Sequence, residues 1–547
     1  MCAAQAWPRV GCVVTKPDLD VAIVGAGFAG LYALHRVRNL GLTVHVFDSG
    51  DGIGGTWYWN RYPGARCDVE SLEYSYQFSP ELQQDWEWTE RYASQPELLR
   101  YLNHVADRFS LRSKIQLSTR IDSAHLDERG PHWILHTATG DRITARWLIM
   151  ATGCLSRPYR PYLPGLKQFR GELYHTGEWP HETVKFSGKR VGIIGTSSSG
   201  IQCIPQIAQE ADQVLVFQRS AAFTVPAHNR ALDPELQRRV KAEYPAFRAR
   251  CSAQFAAINT DASNVSALAV PPTERRRVYE ERWARGGLAF TGAFADLRLN
   301  AEANATAADY VRGKIREIVK DPEVALKLSP HSTFGCKRLC VDTDYYKTFN
   351  RSNVALVDLL AEPIETMTST GLRTTLHRYE LHSLVLATGF DAMTGALLAM
   401  DIRGRDGLRL RDAWHGGPKT YLGLATAGFP NLFLISGPGS PSVLSNMVVT
   451  IEQHVNWIAD CIGYMETHGV TALEARHDFQ DSWSEHVNQV ANSTLFPTCN
   501  SWYLGANIPG KPRVFMPYVG GFPTYVNKCN EALTNGFQGF LLRSSKP

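Results

Sequence analysis

Short apolar runs alternate with stretches of helical periodicity along this chain. Val21-Ala-Ile-Val24 has the pattern of a buried strand, and it leads into Gly25-Ala-Gly27-Phe28-Ala29-Gly30. The pattern from Leu31 to Asn39 is helical, and a second run, Val44-His-Val-Phe47, ends on Asp48, 18 residues after Gly30. The plan recurs 170 residues later: Val191-Gly-Ile-Ile194, then Gly195-Thr196-Ser197-Ser198-Ser199-Gly200, then Val214-Leu-Val-Phe217. Two further strands are expected to end on Ala-Thr-Gly triplets, Ala151–Gly153 and Ala387–Gly389. Residues from about 228 to 330 are rich in Ala, Arg and Glu with helical spacing.

A glycine-rich turn between a strand and a helix gives a tight bend, lets backbone approach a pyrophosphate, and lets helix pack on sheet. One such turn is weak evidence; two in this context predict two dinucleotide sites. At the first, Asp48 stands where an acid would meet a ribose diol. At the second, the strand tip reads Gln218-Arg219-Ser220. A cation and a hydroxyl there suit a 2′-phosphate, hence NADPH over NADH. Ser197 replaces the middle glycine of this second turn, and its hydroxyl and Cβ are expected to alter the approach to pyrophosphate.

The expected fold is α/β, with two Rossmann-like dinucleotide-binding domains. An FAD domain in two pieces, 18–155 and 388–547, flanks an NADPH domain at 156–387 that carries the helical insertion. Residues 1–17 lack an apolar segment and read as a tail. They are acid-free up to Asp18 and hold Arg9 and Lys16, so a transit peptide is the alternative.

Composition narrows the function classes. A net charge of +4 over 547 residues gives no electrostatic footprint for nucleic acid, and Arg275-Arg-Arg277 sits among glutamates as a solvated helix face. No apolar run is long enough to span a membrane. Eleven cysteines without a CxxC pair suggest reduced thiols in the cytoplasm. Cys336 and Cys340 lie close in sequence but lack the partners for a metal site, so no metal is expected.

The linker Phe169-Arg-Gly171-Glu-Leu-Tyr-His175-Thr-Gly-Glu-Trp179-Pro180 matches the F-x-G-x-x-x-H-x-x-x-W-P fingerprint. With Gly54-Gly55-Thr56-Trp57, Arg66-Cys67-Asp68 and Gly389–Gly395, the chain resembles type I Baeyer–Villiger monooxygenases from about Asp18 nearly to its end. The resemblance implies that NADPH reduces FAD, that O2 gives a flavin peroxide, and that the peroxide converts a ketone to an ester or lactone. It also admits sulfide oxidation. Aryl-acetone-like, cyclic and steroidal ketones all remain open, the first slightly favoured; the chain is expected to work as a monomer.

The resemblance further implies roles. Arg338, in Gly335-Cys-Lys337-Arg338, would be the fixed cation of oxygenation, with Asp68 holding it in place. FAD would lie against Gly25, Gly27, Phe28, Ala29, Gly30, Asp48, Gly55, Thr56, Trp57, Asp68, Tyr74 and Met447. NADP would meet Arg66, Cys67, Asp68, Gly195, Thr196, Ser197, Ser198, Ser199, Gly200, Arg219, Ser220, Lys337, Arg338 and Trp502. Trp502 belongs to a segment near 500–511 that would close over NADP, and Gly437–Met447 to a loop beside the flavin and substrate. His175 would serve reorientation of the domains, with an ordinary buried histidine as the competing reading. Three rival functions are a monooxygenase dedicated to sulfides or amines, a disulfide reductase, and a non-catalytic NADPH/FAD sensor. Trp179-Pro180 and Lys337-Arg338 argue against the first. A reductase needs a redox cysteine pair near the first turn, where only Cys67 stands. Ser197 keeps the sensor open.

Overall fold

The computed structural model describes residues 16–544; the expected tail at 1–17 lies almost wholly outside them. Two sheets organise the chain. The first has eight strands, with Arg142–Met150 beside Leu19–Val24, then Val44–Phe47 and Ile115–Gln116; Leu432–Leu434 also pairs with Arg142–Met150. Val21 pairs with Val44 on one side and Trp147 on the other, all parallel. A parallel strand covered on both faces should be apolar throughout, and Val21, Ala22 and Ile23 are fully buried. The helix Phe28–Arg38 packs between this sheet and the long helix Met447–His468.

The second sheet has five parallel strands in the order Val354–Asp358, Gln213–Gln218, Arg190–Ile194, Ser383–Leu386, Glu172–His175. All of them lie between residues 172 and 386, whereas the first sheet draws strands from both sides of that interval.

The two Ala-Thr-Gly triplets do the same job in the two sheets. Gly25 and Gly195 have φ of 110° and 113°, and a Cβ on either would stand 2.4 Å from a carbonyl oxygen, that of Ala151 or Ala387 respectively. Both positions therefore require glycine twice over, by backbone conformation and by close approach. Gly30 and Gly200 press on the carbonyls of Gly25 and Gly195 in turn, at 1.8 and 2.1 Å from a notional Cβ.

Residues 228–330 hold the helices Pro234–Ala242, Tyr244–Ser252, Pro272–Arg285, Ala301–Ile318 and Pro322–Leu328. The last three pack on the second sheet through Tyr279, Ala307, Val311, Ile315 and Ala325. The first two go elsewhere: Val240 and Tyr244 pack into the core of the first sheet. Arg248 is buried there, donating to the Glu73 carbonyl at 2.7 Å and to Ser75 Oγ at 2.6 Å. The segment spans both bodies instead of lining only one. Among the described residues no helix is long and apolar enough to cross a membrane.

The cysteines depart from expectation. Cys336 and Cys499 form a disulfide across 163 residues of sequence, so the reading of all eleven as reduced thiols is corrected. A pair so far apart in the chain leaves no spacing signal. The other seven described cysteines are free and buried.

Candidate active site

The two glycine turns present matching helix starts. Gly27 begins the first helix at φ −85°, ψ −163°, and Ser197 begins Ser198–Glu210 at φ −101°, ψ −170°; neither helix is capped by a side chain. Uncapped N-termini aim N–H groups and the positive end of a helix dipole outward, which suits phosphate. Ser197 adopts extended backbone that any residue tolerates, so its Cβ brings no strain to the turn. At Gly27 a Cβ would stand 3.3 Å from the Cα of Gly55, a tight contact that a side chain there could keep only if Gly55 gave way by a few tenths of an ångström. The three serines of the second turn differ. Ser198 Oγ lies 3.2 Å from Cys340 Sγ, Ser199 bonds the Tyr62 hydroxyl, and Ser197 stays exposed.

At the first strand tip, Asp48 is buried. One carboxylate oxygen accepts from Ala26 N at 2.6 Å and the other from Gly50 N at 2.8 Å. Burial pushes this carboxyl up, and the two N–H bonds pull it back without cancelling the rise. Each oxygen keeps lone-pair capacity for a diol. Around the turn, Phe28 and Ala29 are buried, Phe28 edge-on to Tyr74 with ring centres 5.4 Å apart. Trp57 Nε1 donates to the Tyr74 hydroxyl at 3.3 Å. Thr56 is exposed at the start of its short helix. Met447 opens the long helix behind an Asn446 cap and packs beside Val443 and Met516.

At the second tip, Thr196 Oγ1 donates to the Ser220 carbonyl at 3.1 Å, and Lys337 Nζ reaches Ser220 Oγ at 3.4 Å. Burial, then the Arg219 guanidinium, hold the Lys337 ammonium below its ordinary range. Two cations face each other here, an arrangement that favours an anion between them.

Arg338 is held on three sides. Nε donates to Asp68 Oδ2 at 3.2 Å, Nη1 donates to the Val443 carbonyl at 2.9 Å, and the Tyr503 hydroxyl is a further partner. Its side chain is 29% exposed against 9% for Asp68, so a charged face is left over for a reactant. Burial draws the guanidinium down, but the Asp68 carboxylate overrides it and leaves Arg338 above its ordinary range. Burial also outweighs Arg338 at Asp68, whose carboxyl sits above its usual range. The Val443 carbonyl is presented by Ser442, buried with φ 44° in the left-handed region.

Asp68 itself is placed from across the two bodies. Gln202, on the helix of the second turn, accepts from the Tyr62 hydroxyl at 2.8 Å and donates to the Arg66 carbonyl at 3.1 Å. Gly64, φ 82°, lies so close to this helix that a Cβ would stand 2.4 Å from the Gln202 carbonyl. Cys67 is buried, its thiol pushed up to about 12 by burial. Arg66, expected to serve NADP, donates through Nη1 to Glu90 at 2.9 Å and to the Tyr92 carbonyl at 3.0 Å. Gln202 had no motif to mark it, and Val443 and Tyr503 lie inside the Gly437–Met447 and 500–511 segments with nothing to single them out.

The fingerprint residues lie along and beside the edge strand of the second sheet. A Cβ on Gly171 would stand 2.4 Å from the Phe169 ring, so glycine makes room for that side chain. Trp179 is buried against Tyr174, ring centres 5.2 Å apart, with Pro180 half-buried after it. His175 is buried; Nδ1 accepts from Gly177 N at 3.0 Å, and Nε2 reaches the Tyr159 carbonyl and Thr388 Oγ1 at 3.2 Å each. With Nδ1 accepting, Nε2 carries the proton, and burial lowers the pKa, so the ring is a neutral tie between its strand and Thr388. Trp502 is half-buried against Tyr503, ring centres 4.4 Å apart.

Comparison with known proteins gives a consistent result. Residues 22–277 match the family described as pyridine nucleotide-disulphide oxidoreductase. A Baeyer-Villiger monooxygenase of Pseudooceanicola batsensis is 42% identical over 528 residues, covering 96% of each chain. Phenazine N-monooxygenase PhzNO1 of Lysobacter antibioticus is 42% identical over 535 residues, 97% of this chain and 98% of the relative. The solved structure of oxidized steroid monooxygenase bound to NADP superposes with a TM-score of 0.92 at 50% identity, covering 96% of this chain and all of that one.

Proposed function

This chain belongs to the Baeyer–Villiger monooxygenases, and from that premise we propose that Arg338, braced by Asp68 and the Val443 carbonyl, is the cation that stabilises oxygen transfer to a ketone. FAD and NADPH are its cofactors and ketones its substrates. When bound, the flavin supplies the activation of dioxygen, with NADPH as the source of hydride.

The chain's own residues fit both groups. The uncapped helix behind Gly25–Gly30 and the Asp48 carboxylate suit an FAD pyrophosphate and ribose. The helix behind Gly195–Gly200, with Arg219, Ser220 and Lys337, suits a phosphorylated ribose. Ser197 and Trp502 face outward enough to serve NADP. Arg66 is steadied by Glu90 through Nη1, which leaves the rest of its guanidinium for NADP. In this reading Arg338 offers donors to the oxygen that becomes negatively charged, Tyr503 and Asp68 fix the guanidinium plane, and the apolar neighbours Val443, Met447 and Met516 exclude water.

The observation that carries the reading is the placement of Arg338: charged, anchored on three sides and still partly open. Dioxygen is the oxygen donor in this proposal. A monomer is part of this reading, and dependence on NADPH supports a cytoplasmic setting. The test is purified protein with FAD and NADPH against aryl-acetone-like, cyclic and steroidal ketones, a sulfide and a phenazine, with products identified by mass. Ester or lactone from a ketone is expected. Oxygenation of only the sulfide or the phenazine would overturn the ketone reading, and NADPH oxidation without any product would favour the sensor.

A further inference from the structure

The Cys336–Cys499 disulfide joins two segments that lie 163 residues apart in sequence. Cys336 lies two residues before Arg338, and Cys499 three residues before Trp502. The bond therefore tethers the start of the 500–511 segment to the loop carrying Lys337 and Arg338. At its far end the segment has a second anchorage, independent of the first. Lys511 Nζ donates to Asp391 Oδ1 at 2.6 Å and the Ala392 carbonyl at 2.7 Å, and Asn507 Nδ2 donates to the Phe390 carbonyl at 2.8 Å. Between the anchors run Trp502 and Tyr503, the latter against Arg338. The hydrogen bond that accompanies the disulfide between these stretches is the Thr333–Thr498 hydroxyl pair at 3.0 Å, an exposed contact.

We propose that this disulfide is a reversible clamp, open to dithiol reductants, that holds the 500–511 segment in its NADP-covering position and so tightens binding of NADP. The proposal rests on the reading of that segment as the NADP cover. The chemistry is thiol–disulfide exchange. Cys499 is half-exposed and Cys336 buried, so a thiolate of the reductant attacks Cys499 Sγ and Cys336 Sγ leaves. The reductant's second thiol then displaces Cys499. Two electrons and two protons pass to the protein, the Sγ–Sγ bond becomes two thiols, and the reductant ends as a disulfide. The seven other described cysteines are buried, which restricts exchange within that set to this pair.

Energetics makes the clamp two-way. With the bond closed, the segment is ordered before NADP arrives and less ordering cost falls on binding. Whatever factor closure gives to NADP affinity, NADP must return to the disulfide, making it harder to reduce by the same factor. A coupling of about tenfold lies within the usual range for linked sites and corresponds to about 30 mV in a two-electron couple.

The experiment uses the full chain with FAD in dithiothreitol redox buffers, with and without saturating NADP+, quenched by alkylation and read by peptide mapping. NADP+ affinity is measured in parallel on the oxidised and reduced protein and on Cys336→Ser and Cys499→Ser. The expected result is a Cys336–Cys499 cross-linked peptide that disappears reversibly. NADP+ should shift the reduction midpoint about tenfold toward stronger reductant, and affinity should fall by the same factor in reduced protein and both variants. A midpoint shift in that direction above about twofold, matched by the affinity change, supports the clamp. A smaller or opposite shift, unmatched affinities, or absence of the cross-linked peptide overturns it. None of these readouts needs turnover, so failure to oxygenate ketones would count against the proposed function and leave the clamp standing.

Discussion

Replacing Arg338 with Ala is expected to cut ester formation by about 100–1000-fold, the scale set by loss of one preorganised donor to a developing oxyanion. Flavin reduction by NADPH should largely survive, since it needs the two nucleotide sites more than this charge. Arg338→Lys should rescue poorly, because an ammonium cannot satisfy Asp68 Oδ2 and the Val443 carbonyl and still face a reactant. Stopped-flow reduction and product analysis separate the half-reactions; near-normal ester from the Ala variant would place the cation elsewhere. Lys337→Ala should raise the KM for NADPH about tenfold, the low end for a charge-assisted contact because the side chain is half-exposed. Ser197→Gly should move that KM by less than about twofold, as the serine occupies unstrained backbone. Arg219 and Lys337 were legible because a strand tip and a motif flag them. The Val443 carbonyl was not, since any residue has one and only a buried serine at positive φ aims it.

The long helix Met447–His468 carries a buried acid that makes a pH prediction at the level of the element. Glu452 accepts from the N–H groups of Gln77 and Phe78, at 2.7 and 2.9 Å, tying this helix to the segment behind the first turn. Burial raises its carboxyl to about 7. The folded state therefore holds the proton more tightly than the unfolded chain, and stability is lost as pH rises from the ordinary carboxylate range through about 7. Glu452→Gln keeps the acceptor without the charge, so its melting temperature relative to the parent should be more favourable at pH 8 than at pH 5. A pH-independent difference would rule this account out. Gln202 makes a second test: Gln202→Ala removes the ties to Tyr62 and Arg66 and should lower kcat for oxygenation more than it raises the KM for NADPH. The helix was readable from its periodicity. Its polar contacts were not, because glutamine on a helix face has no signature until the other body packs on it.

At the scale of the molecule, the expectation of two sheets with nucleotide turns rests on a pattern that repeats within one sequence, so the architecture was unusually readable. What could not be read was contact between distant segments: the Cys336–Cys499 bond, and the helices Pro234–Ala242 and Tyr244–Ser252 crossing to the first core. Local periodicity tells a helix which face to bury and never against what. The purified protein should be yellow from non-covalent FAD and release the flavin on denaturation; a preparation colourless even after added FAD would contradict the first site. The interleaving of the sheets also sets an order for synthesis on the ribosome. The second sheet is contiguous and complete once residue 386 has emerged, but the first still lacks Asp401–Arg403, Leu432–Leu434 and the Met447–His468 helix. At the usual elongation rates its opening strands wait about 20–90 s for the last of those partners. The middle of the chain should thus acquire protease resistance in stalled nascent chains before the beginning does, and the exposed N-terminal strands are the stretch for which a chaperone has most to do.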